Sequence, residues 1–292
     1  MNQKMNLLKI KLMVILISVI LSPTLLADDQ KTPNLDIQSV SSVRSISKEY
    51  SDVDKLQRLA EQGNAEAQFT LGWIYEKGRS VPQDYTKAVK WYLKAADQGQ
   101  SNAQYNLGVM YMDGEGVSQD YTKAVKWYLK SADQGQSNAQ YNLAILYNNG
   151  RGVPQDYSKA IDLYEKSANQ GNIGAQRNLA NIYNDDKGVP QNFNKAAEWF
   201  EKAASQGDAI SQYNLGTMYL FNRGVPQDYF KAAKWFEKSA SQGYVNAQYN
   251  LGVLYRNGLG FKQDRAKANK WFKLACDSGD TQGCKQYIIL TQ

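Results

Sequence analysis

Apolar residues along the chain fall on two successive helical stripes separated by a short polar link. In residues 63–98, Ala67, Leu71, Ile74 and Tyr75 stand at i, i+4, i+7 and i+8, one face of a helix. Gly78 suits the left-handed residue that closes such a helix. Ser80-Val81-Pro82-Gln83 reads as an extended link, and Asp84 as the N-cap of a second helix. That helix opens at Lys87-Ala88, turns Ala88, Trp91, Tyr92, Ala95 and Ala96 inward, and ends at Gly99. Neither helix can bury its stripe alone, so the predicted helix–turn–helix needs neighbours of its own kind.

The neighbours are present. Glycine recurs at 63, 99, 135, 171, 207, 243 and 279, always 36 residues apart, a period that marks a stacked solenoid. Six units result: 63–98, 99–134, 135–170, 171–206, 207–242 and 243–278. A lone second helix is expected as a cap over 50–62, with polar Lys55 in the tryptophan slot. A lone first helix is expected as the other cap over 279–292, with Tyr287 in the leucine slot. Gly72, Gly108, Ala144, Ala180, Gly216 and Gly252 share one position, and a small residue kept there suggests close approach of a second helix. Trp91, Trp127, Trp199, Trp235 and Trp271 read as core rather than as a ligand box, because Leu163 fills the same slot in the third unit. A buried large side chain contributes about 1.5–3 kcal/mol.

The recurring letters are Ala103, Leu107-Gly108, Tyr111, Gly114, Gly116-Val117, Asp120, Lys123-Ala124, Trp127-Tyr128, Lys130, Ala132 and Gly135. Together they resemble the Sel-one-like repeat (SLR) family, relatives of the tetratricopeptide repeats. The resemblance covers 63–278 and implies an all-α fold, a right-handed α/α superhelix whose first helices line a concave face. Departures are local: Ser80 for the second loop glycine of unit one, Asp186 and Asn222 for the first loop glycine of units four and five, and Phe261 for the valine of unit six. They bear on individual loop shapes and not on the stack. Residues 84–108 and 120–144 differ only at Ala95/Ser131 and Gly108/Ala144, so no single unit carries a distinct catalytic constellation.

Composition narrows the function. Residues 1–27 read as a secretory signal: Lys4, Lys9 and Lys11 precede the apolar run Leu12–Leu21, Ser22-Pro23 breaks it, and Ala27 stands before Asp28-Asp29. Such a run spans about 15 Å as a helix against about 30 Å of hydrocarbon, a poor stable anchor. An uncleaved anchor over Leu7–Leu26 is the alternative. Residues 28–49 are polar and expected as a flexible linker. Ser45-Ile46-Ser47-Lys48 in that linker matches S-x-x-K, the nucleophile motif of penicillin-interacting enzymes. Without a K-T-G or S-D-N companion it is read as chance. Without the signal lysines, 31 basic residues face 28 acidic ones and no basic block of five occurs, which argues against a nucleic-acid partner. The absence of histidine removes the commonest general base and metal ligand. We therefore expect no catalytic residue, metal or cofactor, and a periplasmic or secreted monomer with no stable membrane span after signal cleavage.

Cys276 takes an alanine slot near the end of the last second helix, and Cys284 lies in the first helix that follows. Two cysteines facing each other across a tight helix–loop–helix in an exported chain suggest a disulfide, with free buried thiols as the alternative. A cysteine-rich secreted branch of the SLR family has the same C-x7-C spacing with each pair bridged, and the resemblance implies a Cys276–Cys284 bond.

The tetratricopeptide register places positions 66, 69, 73, 76 and 77, with their equivalents, on the concave face. Position 69 reads Phe69, Tyr105, Tyr141, Arg177, Tyr213 and Tyr249, an aromatic ladder with one cation inserted. Position 70 reads Thr70, Asn106, Asn142, Asn178, Asn214 and Asn250. Rings supply area and amides supply hydrogen bonds, so this groove suits an extended peptide or a glycan. The alternative is that the tyrosines only pack between units. Trp73 differs from Val109, Ile145, Asn181, Thr217 and Val253, and Phe221 and Phe230 look exposed. The expected function is a non-catalytic scaffold for protein partners, envelope or host proteins by family analogy. A β-lactam-binding or β-lactam-hydrolysing enzyme and a glycan-binding module are the alternatives.

Overall fold

The computed structural model describes residues 53–186 and 188–292, which leaves the expected signal, the linker and Ser45–Lys48 outside the described residues. Among the described residues there are fourteen helices. The first is α1 (Val53–Glu61). Six pairs follow: α2 (Ala65–Lys77) with α3 (Tyr85–Asp97), α4 (Ser101–Asp113) with α5 (Tyr121–Asp133), α6 (Ser137–Asn149) with α7 (Tyr157–Asn169), α8 (Ile173–Asp185) with α9 (Phe193–Ser205), α10 (Ala209–Phe221) with α11 (Tyr229–Ser241), and α12 (Val245–Asn257) with α13 (Arg265–Asp277). The last is α14 (Thr281–Thr291). Each helix packs mainly on its sequence neighbours, which makes a solenoid.

The boundaries follow from local chemistry. Asp84, Asp120, Asp156, Asn192, Asp228 and Asp264 each accept a backbone N–H from the residue three positions on. Such a cap is worth about 1 kcal/mol. The first helices close on left-handed residues, and Asp186 and Asn222 adopt φ of 55° and 56° there in place of glycine. Aspartate and asparagine are the side chains that best tolerate this region, so both helices still close on a left-handed residue. Ser80 holds a positive φ of 63° in the same way.

The small residue at position 72 has a clear cause. A Cβ on Gly108 would lie 2.4 Å from the Tyr128 ring, and one on Gly216 would lie 2.8 Å from Phe236. The residue it admits is the aromatic just after each tryptophan slot: Tyr92, Tyr128, Tyr164, Phe200, Phe236 and Phe272 are all almost fully buried. The tryptophans differ from the sequence reading. Only Trp127 is buried; Trp91, Trp199, Trp235 and Trp271 are half-buried at the margin of the core. Lysines three residues on cover four of these rings, with Nζ 3.8–4.3 Å from the centroids for Lys94, Lys130, Lys202 and Lys238. A lysine stem packs on apolar surface while its charge stays wet, which suits a half-buried ring.

A polar row runs through the interior. Gln68, Gln104, Gln140, Gln176, Gln212 and Gln248 are all buried, and each donates from Nε2 to the carbonyl eight residues earlier at 2.9–3.3 Å. Five of them also accept, at 2.7–2.8 Å, from Gln98, Gln134, Gln170, Gln206 and Gln242. Each rung thus joins the preceding second helix, its own helix and the end of the next one. The sixth lacks its donor: Ser278 occupies the glutamine position, and Gln248 Oε1 is buried without a partner. Cys284 stands at the next rung position, and its partner Cys276 is the residue eight earlier, with Cα atoms 4.4 Å apart. The disulfide replaces in covalent form the link that glutamine makes elsewhere. On α14, Ile288 occupies position 72 and is 53% exposed.

Candidate functional site

The position-69 residues fall into two groups. Phe69 and Tyr249 are 2% and 5% exposed, so these two expected contact residues are buried in the stack and present no ring to a partner. Their rings pack on Tyr92 and Phe272, centroids 5.8 and 5.6 Å apart. Tyr105, Tyr141 and Tyr213 also rest on the buried aromatic of their own unit, at 5.7–6.0 Å, but remain partly exposed. Each of these rings thus packs within its own unit, and Tyr141 and Tyr213 also reach the unit that follows. The position-70 amides are partly engaged: Asn142 donates to the Tyr128 hydroxyl and Asn178 to that of Tyr164, both at 3.2 Å. Trp73 is half-buried, with the Arg79 guanidinium 4.5 Å from its ring centroid.

The middle of the row is where neighbouring units meet with unlike chemistry. Arg177 Nη1 donates to Asp208 Oδ1 at 2.8 Å. Asp208 Oδ2 accepts the Ser211 N–H at 2.8 Å and so caps α10. Both carboxylate oxygens are thereby held, and the guanidinium is fixed between the Tyr141 and Tyr213 units. On one side Tyr141 overhangs Gly174: a Cβ there would lie 2.9 Å from its hydroxyl. On the other, Tyr213 packs on Tyr244 with centroids 5.0 Å apart. Sequence reasoning missed Tyr244. Its signal was available, because the equivalent positions hold Asn64, Gln100, Gln136, Asn172 and Asp208, which cap their helices, whereas Tyr244 makes no side-chain cap bond.

Burial pushes the Tyr105 phenol up to about 12 and raises that of Tyr141, the latter opposed by the positive charge of Arg177. Burial also raises Tyr213 and Tyr244. These phenols stay protonated at neutral pH and act as hydrogen-bonding groups with an apolar face, not as nucleophiles. Among the described residues, no three side chains of the metal-binding types form a cluster, and no helix is long and apolar enough to cross a membrane.

The Sel1 repeat model matches residues 65–100, 101–136, 137–172, 173–208, 209–244 and 245–280. Among solved structures, the chain is similar to a protective antigen present in uropathogenic Escherichia coli strains and displaying an SLR fold. Identity is 37% and the TM-score 0.77, over 80% of this chain and 50% of that one. The chain thus spans about half the length of the E. coli protein. It is also similar to a Sel1 repeat protein from Oxalobacter formigenes, with 31% identity and a TM-score of 0.67, over 81% of this chain and 96% of that one. No curated protein matches the chain.

Proposed function

The chain belongs to the Sel1 repeat family, and from that premise we propose that it is an exported, non-catalytic scaffold that captures a protein partner on the concave face of its solenoid. One observation carries this reading. The letters that hold the stack recur in every unit, while the row from Tyr141 through Arg177 to Tyr213 and Tyr244 brings three partly exposed rings beside a fixed guanidinium. Rings of this kind supply contact area at low entropic cost, and Arg177 adds direction for a carbonyl or carboxylate of an extended peptide. Residues 1–27 support export, and the E. coli relative's description as a protective antigen fits an exported protein. Envelope or host proteins are the partners this placement would meet.

The test is crosslinking and pull-down from an envelope fraction with the exported chain and a variant carrying Tyr141→Leu, Arg177→Gln and Tyr213→Leu. These replacements keep much of the packing volume. Capture is expected to fall by about tenfold or more, as for a cluster of central aromatic and arginine residues, with the circular-dichroism helix signal unchanged. Capture at wild-type strength would refute the concave-face reading. Nitrocefin turnover or selective capture on a saccharide array would replace it with the enzyme or glycan reading.

A further inference from the structure

Away from the concave face, the loop edge of units five and six departs from the repeat at several positions at once. Position 86 is Thr86, Thr122, Ser158 and Asn194 in the first four units but Phe230 in the fifth. Position 81 is valine in five units and Phe261 in the sixth. Position 79 is charged in five units and Leu259 in the sixth. These changes are scattered in sequence and gathered in space. Gly260 lies against the start of α11, where a Cβ would come 2.5 Å from the Tyr229 carbonyl carbon and 2.7 Å from the Phe230 nitrogen. That contact seats the 259–261 loop beside Phe230. The Phe230 and Phe261 rings meet edge to face with centroids 5.9 Å apart, and Phe261 stacks on Tyr255 at 4.7 Å with 9° between planes.

Phe230 is 47% exposed, although the same place in the stack is filled elsewhere by threonine, serine, asparagine or alanine. Its edge contact with Phe261 leaves nearly half of the residue in water. The surroundings are cationic. Lys234 Nζ sits 4.4 Å from the Phe230 ring centroid. Lys262 replaces the loop proline of most units, Arg265 replaces the aromatic that opens the other second helices, and both are exposed. Of the nearby carboxylates, Asp228 caps α11, Asp264 caps α13 and pairs with Lys267 at 3.7 Å, and the charge of Glu237 adds to burial in raising the Tyr255 phenol. Among the described residues, neither Lys262 nor Arg265 has a carboxylate partner.

We propose that this edge is a second recognition surface, independent of the concave face, for an acidic peptide segment of a partner protein. An apolar side chain of that segment rests against Phe230 and Phe261, and its carboxylates meet Lys262 and Arg265. Charge complementarity selects the occupant: an apolar centre with a cationic rim attracts a segment of the opposite charge pattern. A bilayer would call for several projecting apolar groups, whereas Phe230 alone projects here while Phe261 and Leu259 are half-buried.

The experiment is fluorescence anisotropy on the full exported chain with a labelled glutamate-rich decapeptide carrying one tryptophan, and with its lysine-for-glutamate twin. Phe230→Thr with Phe261→Val restores letters that other units carry, so folding is preserved. This pair is expected to weaken binding of the acidic peptide about tenfold or more. Lys262→Glu with Arg265→Glu is expected to abolish binding, added salt to weaken it, and the concave-face variant to leave it intact. Equal binding of the two peptides, or wild-type affinity in the Phe230/Phe261 variant, overturns the proposal. Cosedimentation with phosphatidylglycerol vesicles without binding of the acidic peptide also overturns it.

Discussion

Units one to three and units four to six share a backbone and differ in what fills it. In the first half the buried aromatic of each second helix is tyrosine, at 92, 128 and 164; in the second it is phenylalanine, at 200, 236 and 272. The hydroxyls of the first half are engaged. Tyr92 donates to Glu76 Oε2 at 2.5 Å, and Tyr128 and Tyr164 accept from Asn142 and Asn178 of the following units. The second half fills the same slots without hydroxyls, and most departures from the repeat lie there: Arg177 with Asp208, Tyr244, Leu259, Phe230 and Phe261. One half is conservative and tied by polar links inside the stack. The other keeps the glutamine row but closes its aromatic slots without hydroxyls, and it carries most of the side chains that set one unit apart from the next.

The largest test of this contrast is alkali. Burial raises Tyr92 and Tyr128 well above the usual phenol range and pushes Tyr105 up to about 12. The unfolded chain ionises its tyrosines near pH 10 while the folded chain keeps these protons. The stabilisation is therefore complete below about pH 10 and is lost as pH rises through the folded values. Tyr105 alone accounts for about 2–3 kcal/mol of that loss. Tyr92→Phe with Tyr128→Phe and Tyr164→Phe is expected to move the alkaline unfolding midpoint upward, read by far-ultraviolet circular dichroism. An unmoved midpoint would break the contrast.

A smaller effect belongs to the far end of the second half. Reducing Cys276–Cys284 is expected to remove about 2–3 kcal/mol of chain-entropy stabilisation, confined to α13 and α14. Limited proteolysis should then release α14 while units one to three stay protected. Uniform loss of protection would show that the disulfide acts on the whole array. The smallest effect is a gain. Ser278→Gln gives Gln248 Oε1 the donor that the other five rungs have, for about 1 kcal/mol and a raised Tm. No gain would mean that the missing rung is already compensated.

Much of this was legible in the sequence, and the misses have physical causes. Periodicity and capping letters locate every helix pair, because Asp84 and its equivalents cap wherever they occur. Periodicity does not separate the centre of a stripe from its edge. Trp91 and Tyr92 are neighbours on one face, and the small residue at position 72 makes the room that encloses the second. The same aromatic covers Phe69, which in the sequence looks like a rung of an open ladder. The glutamine row left a trace that hydropathy cannot read, one polar letter kept at an interior position in all six units. Arg177–Asp208 and Phe230–Phe261 each join residues 31 apart across adjacent units, contacts that follow only once the register of the stack is known.

Ile288 governs how an array of this kind can change its length. Where α13 docks on α12, Phe272 lies over Gly252. A helix laid in the same way on α14 would meet a branched side chain instead. A duplicated unit joined beyond α14 would find no seat, whereas one inserted between existing units meets matching surfaces on both sides. Lengthening by duplication is therefore directed inward. The nearly identical stretches 84–108 and 120–144 lie where the architecture accepts such an insertion.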